Sequence, residues 1–129
     1  MIEYAYKIIN KIINFKLMTT KKKYLAFLDF YLNLENVELD SIKFFRKDLH
    51  RLRFWILILK AHFKNEILIV EDIIKNKSII SKPTALKIID EAVHRGLLLK
   101  QKSGQDKRKI QITPTEKMID EFKDFFSKF

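Results

Sequence analysis

The 129-residue chain is 47% hydrophobic with only two Gly and two Pro, enough apolar material for one core and too little turn chemistry for a loop-rich all-β fold. Lys and Arg outnumber Asp and Glu by 26 to 16, a formal charge of +10 that favours a polyanionic partner, nucleic acid or an anionic membrane. With no Cys, disulfides, thiolate catalysis, thiol redox sensing and thiolate zinc sites are excluded within this chain.

Residues 2–17 place Ile2, Ala5, Ile9 and Ile12, with Ile8 and Ile13 beside them, along one side of a helix and lysines on the other. Glu3, Lys7, Lys11 and Lys16 interrupt this apolar stretch, which argues against a signal peptide. The longest unbroken apolar run, residues 54–59, is far short of the ~20 residues needed to cross a bilayer. Thr19 and Thr20 can cap a second helix over residues 21–34 containing Tyr24, Leu25, Phe27, Leu28, Tyr31 and Leu32. Those residues nearly encircle the axis, so one packing face would not satisfy it. Three lysines in its first turn oppose the helix dipole and are either solvated or placed to meet an anion.

Asp40 followed by Ser41 reads as an N-cap for a helix through Phe44, Phe45 and Arg46. Asp48 can cap a further helix over residues 49–63, or the two run on as one. Trp55, Ile56, Leu59 and Phe63 share a stripe and are expected in the core. Asn65 ends that helix; residues 66–69 can pair as a strand, and residues 70–76 form a short helix with Ile73 and Ile74 inward. Residues 77–80 are a turn. Ser81 then caps a helix opening on Lys82 and Pro83, a proline tolerated there because its missing N–H has no intrahelical partner anyway. Ala85, Ile88, Ile89, Ala92 and Val93 make its buried stripe, and Gly96 supplies the left-handed stop.

Beyond Gly96 the chain reads as two short strands joined by a cationic tip, with five basic residues and one acid between Lys100 and Lys109. Such a tip cannot be buried, because each charge would need a partner or water. It can lie against a phosphate backbone. Thr113 or Thr115 caps a final helix in which Phe122, Phe125, Phe126 and Phe129 recur at helical spacing.

Residues 70–117 resemble the MarR family of winged helix-turn-helix transcription regulators. The resemblance lies in Gly96 closing the recognition helix, Asp106 ten positions later, and Arg108 completing an Asp-x-Arg wing signature. Thr84, Lys87 and Asp90 match the Thr/Ser, Arg and Asp common along that helix, and Pro114-Thr115 stands where Leu-Thr is usual. Met118 replaces the Gly that often follows.

The resemblance implies a mainly α winged helix-turn-helix with a small antiparallel β-hairpin wing and flanking dimerisation helices. Residues 1–48 would be N-terminal helices, 49–117 the DNA-binding domain and 118–129 a C-terminal dimerisation helix. It implies a double-stranded DNA-binding transcription regulator, a repressor in sense, cytoplasmic and homodimeric. Ser81, Lys82, Pro83, Thr84 and Lys87 would address the major groove and its phosphates, and Lys102, Lys107, Arg108 and Lys109 the wing's contacts, with Asp106 orienting Arg108. Asp90 and Glu91 are expected to face away from DNA or to pair with Lys87 or Arg95.

A small phenolic or lipophilic effector could meet Tyr24, Phe27, Tyr31, Phe44, Phe45 and Trp55, although aromatics at this spacing are also ordinary core. No cofactor and no membrane span are expected. His50, His62 and His94 have no metal-ligand spacing, and no catalytic constellation is present. Alternative readings are a winged helix serving replication, partition or chromosome architecture, a protein-interaction module meeting an acidic partner, and membrane-surface attachment through residues 2–17.

Overall fold

The computed structural model describes residues 2–17, 19–75, 80–104 and 108–128, in two compact units, Met1–Asn36 and Val37–Phe129.

The first unit is a pair of helices, α1 (Ile2–Leu17) and α2 (Thr20–Asn36). Glu3 in the first turn of α1 complements the helix dipole. The Lys22 N–H donates to Thr19 Oγ1 at 3.3 Å and the Lys23 N–H to the Thr19 carbonyl at 3.0 Å, so Thr19 starts α2. Its first turn holds no acid and its last no base, leaving the dipole uncompensated. Ile2, Ile9, Ile12 and Ile13 of α1 and Tyr24, Phe27, Leu28 and Tyr31 of α2 are exposed; Leu34 is the buried residue of α2.

The second unit opens on α3 (Asp40–Phe45) and α4 (Leu49–Phe63). Asp48 separates them: its Oδ1 accepts from the Arg51 N–H at 2.8 Å, the geometry of a true N-cap. The start of α3 differs from expectation. Asp40 is already helical, and the N-cap position falls on Leu39, which has no capping side chain. The missing acceptor comes from 80 residues away, where Glu121 Oε1 accepts from the Ser41 N–H at 2.8 Å and the Ser41 hydroxyl at 2.6 Å. Beside it Lys117 bonds Asp40 at 2.8 Å. That hydrogen bond and the lysine's charge hold the Asp40 carboxyl below its ordinary pKa, and Asp40 raises Lys117 in turn.

Along α4 the buried residues are Phe54, Trp55, Ile58, Leu59 and Ala61, whereas Ile56 and Phe63, expected in the core, are exposed. Trp55 and Leu59 are buried as expected, and the packed face extends from them to Phe54 and Ile58 and not to Ile56 and Phe63. α4 ends as expected at Asn65, whose φ of 56° is left-handed. The Asn65 N–H reaches the His62 carbonyl and the Glu66 N–H the Ala61 carbonyl, a Schellman closure.

Next come β1 (Leu68–Ile69), α5 (Val70–Lys75), α6 (Lys82–His94), β2 (Leu98–Lys102), β3 (Ile110–Pro114) and α7 (Glu116–Ser127). Val70 and Ile73 of α5 are buried, and Ile74 is half-buried. The turn expected at residues 77–80 falls largely outside the described residues. α6 buries Ala85, Ile88, Ile89 and Ala92, leaving Val93 half-buried. It closes like α4, with Gly96 at φ 74°, its N–H on the Val93 carbonyl and the Leu97 N–H on the Ala92 carbonyl. The antiparallel sheet has the order β1–β3–β2, with Leu98 opposite Pro114, Lys100 opposite Ile112 and Lys102 opposite Ile110. α6 packs on β2, α4 and α7 on β3, and α3 on both α4 and α7.

Thr115 caps α7, accepting from the Met118 N–H. The phenylalanines of α7 divide. Phe125 is buried, Phe122 lies 5.7 Å from both Trp55 and Phe63, and Phe126 stacks on Phe122 while remaining exposed. Part of that stripe therefore serves its own unit. Phe129 is outside the described residues.

Candidate nucleic-acid interface

The burial of Ala85, Ile88, Ile89 and Ala92 fixes the roll of α6 about its axis. At 3.6 residues per turn, Pro83, Lys87, Asp90 and His94 then run down the opposite side, and all four are exposed. Asp90 stands at one edge of that stripe and Glu91 just beyond the other. Asp90 Oδ1 accepts from Lys100 Nζ of β2 at 2.6 Å, and Glu91 Oε2 meets Arg51 of α4 at 3.1 Å. The outward stripe is thus flanked by the wing on one side and α4 on the other.

Of the two expectations, facing away or pairing with a base, pairing holds, but with Lys100 and Arg51 on other elements and not with Lys87 or Arg95 on the same helix. Arg51 and Arg95 are instead drawn over the Phe44 ring, 4.6 and 5.3 Å from its centroid, a cation–π arrangement at a buried aromatic. Arg51, 16% exposed, also meets Asp48 Oδ2 at 3.2 Å, so one guanidinium joins the cap of α4 to the middle of α6.

At the start of α6, Ser81 Oγ accepts from the Thr84 N–H at 3.3 Å and donates to Thr84 Oγ1 at 2.9 Å. Pro83 has no N–H to offer, so at most the Lys82 N–H of the first turn is left for an anion. The start of α6 therefore offers an anion little backbone and must rely on its side chains. Ser81, Lys82, Pro83, Thr84 and Lys87 are all exposed.

In the hairpin, side chains alternate faces, so Lys102 shares a face with Leu98, which is buried, and Lys100, which reaches α6. Beyond the last strand pair the Ser103 N–H still bonds the Lys109 carbonyl at 2.9 Å. Lys102 and Arg108 are exposed and Lys109 is half-buried, whereas Asp106 and Lys107 lie outside the described residues. Two side chains, Glu71 and Thr115, hold the hairpin's root through long-range hydrogen bonds. Glu71 Oε2 accepts from the Ile110 N–H at 3.0 Å. The Thr115 hydroxyl donates to the carbonyls of Gly96 and Leu97 at 2.8 and 3.1 Å, tying the far end of the wing to the end of α6.

Charge is distributed unevenly. Residues 81–109 carry eight basic side chains and three acidic ones, while α7 carries four acidic and two basic. Between these two, the surface of α6 and the wing is the one suited to a polyanion. Among the described residues no cluster of His or acids could hold a metal ion, and no helix is long and apolar enough to cross a membrane.

No protein-family model matches the sequence, and no curated protein matches it. Among solved structures the chain is similar to the crystal structure of a MarR transcription factor from Planctomyces limnophilus. The TM-score is 0.50, with 20% identity over 83% of this chain and 75% of that one. The fold is a MarR-like winged helix. In it α5 and α6 stand as the helix-turn-helix pair and β2–β3 as the wing.

Of the residues that position this surface, Lys100, Arg51, Glu71 and Glu121 are not visible as such in the sequence. Their partners lie 10 to 80 residues away, and no periodicity reports such pairings.

Proposed function

We propose that this protein is a sequence-specific double-stranded DNA-binding transcription regulator, acting as a repressor, that works as a symmetric dimer. The observation that carries the reading is the placement of an exposed stripe, Pro83–Lys87–Asp90–His94, beside a basic wing bonded to the same helix. In the proposed mode α6 enters the major groove, where Lys82, Thr84 and Lys87 reach bases or phosphates. Arg108 enters the adjacent minor groove, whose negative potential deepens over narrow A·T tracts. Lys102, Lys107 and Lys109 contact phosphates, and Asp106 orients Arg108.

A single winged helix offers a small footprint. The exposed apolar faces of α1 and α2 supply a surface for a second copy, and a two-fold axis would present both recognition helices to a palindromic site. A phenolic or lipophilic effector would meet Tyr24, Phe27 and Tyr31, the aromatics that stay exposed; Phe44, Phe45 and Trp55 are core. A protein that performs this task works at the nucleoid, in the cytoplasm.

Duplex binding by Lys87→Ala and Arg108→Ala tests the proposal. Each is expected to weaken binding about tenfold and to lower the salt slope by roughly one counterion for each phosphate no longer neutralised. Duplex affinity untouched by either substitution would turn the reading to a protein-interaction module. Mapping bound sites on the genome separates a promoter regulator, at a few palindromes, from an architectural protein with broad coverage.

A further inference from the structure

Asp90 is an acid on the face of α6 that the proposed function turns towards DNA, and its carboxylate is 58% exposed. An unpaired carboxylate there would be repelled by every phosphate it approached. It is not unpaired: Lys100 Nζ holds Oδ1 at 2.6 Å from the wing strand. The lysine offsets the charge and fixes the carboxylate's position, leaving the lone pairs of Oδ2 for another donor.

We infer that Asp90, held by Lys100, is a specificity-determining residue that accepts a hydrogen bond from the amino group of a cytosine in the major groove. The inference rests on the DNA-binding reading and deepens it. A carboxylate accepts and cannot donate. Guanine O6 and N7 and thymine O4 are acceptors and would repel it. Adenine offers its N6 amine beside the acceptor N7, a pair that suits Asn or Gln, whereas cytosine N4 presents a donor without that neighbouring acceptor. Lys100 is a positioning residue in this scheme, acting through Asp90.

Selection of bound sequences from random duplex DNA, run in parallel on the full-length protein and on Asp90→Ala, Lys100→Met and the double variant, tests this. The wild type is expected to require a C·G pair at one position of each half-site. Asp90→Ala should lose roughly tenfold discrimination at that position alone while retaining the rest of the motif. Lys100→Met, which leaves the carboxylate uncompensated, should weaken binding to the selected site by about tenfold or more, and removing Asp90 as well should restore part of that loss. A wild-type motif reproduced unchanged at every position by Asp90→Ala would overturn the inference and leave DNA binding standing. No enrichment by the wild type would overturn both. A Lys100→Met loss not relieved in the double variant would make Lys100 a direct phosphate contact and remove its positioning role.

Discussion

The two units of this chain treat similar apolar sequence in opposite ways. In the second, Phe44, Phe45, Ile58, Ile89, Leu97, Leu98, Ile112 and Met118 are nearly or wholly removed from water. In the first, Ile9 is 53% and Phe27 69% exposed, although both helices are rich in apolar side chains. A winged helix closes its own core because short helices can pack on a three-stranded sheet. Two helices alone cannot cover an apolar surface that runs most of the way around α2. The second unit closes its core within one chain, and the first leaves apolar surface exposed, which is the surface the proposed dimer would use.

The contrast can be broken most severely at the first unit. Replacing Ile9 and Phe27 together by Glu is expected to convert a dimer into a monomer by light scattering and to lower duplex affinity about a thousandfold, the scale of lost bivalency. A double variant that remains dimeric would place the self-association surface elsewhere.

The second unit should answer in stability instead. Ile89→Ala empties a fully buried position on the inner face of α6 and is expected to cost about 3 kcal/mol in chemical denaturation. Glu121→Ala strands the buried Ser41 hydroxyl and its N–H, a loss of about 2 kcal/mol by the same measurement, with the oligomeric state unchanged. Gly96→Ala has open space for its methyl but a φ of 74°, so about 1 kcal/mol of backbone strain is the expected outcome.

The smallest effect belongs to the exposed Asp40–Lys117 pair. A lowered Asp40 pKa contributes stability that is present above the carboxyl's ordinary value and is lost as pH falls through the lowered one. A raised Lys117 pKa contributes below the ammonium's ordinary value and is lost as pH rises through the raised one. The stability difference between wild type and Lys117→Met should thus be flat between about pH 5 and pH 9 and shrink towards both extremes. A difference that grows in acid would contradict the pairing.

Legibility in the sequence follows the range of the interaction. Helix α6 is readable because each of its signals is local: Ser81 at its cap, the 85–88–89–92 spacing along it, and Gly96 at its stop. The wing is readable because a dense run of cations has few places to go. The cap of α3 misleads because its acceptor, Glu121, arrives from α7, and a plausible local candidate, Asp40, stands next to it. Asp90 and Glu91 suggest neighbours on their own helix for the same reason; Lys100 and Arg51 reach them across elements. Ile56 and Phe63 read as inward because apolar periodicity marks a stripe without fixing its edge to one residue. For α2 the pattern states that more than one side needs cover, but no pattern within a chain names what provides it.

The proposed function requires α6 and the wing to present one shared surface to DNA. Backbone amide shifts of isotope-labelled protein, followed as a selected duplex is added, report that surface residue by residue. The largest changes are expected at residues 81–90 and 100–110, with the acidic helix α7 little affected. Changes concentrated on α7, or on α6 with the wing silent, would contradict it.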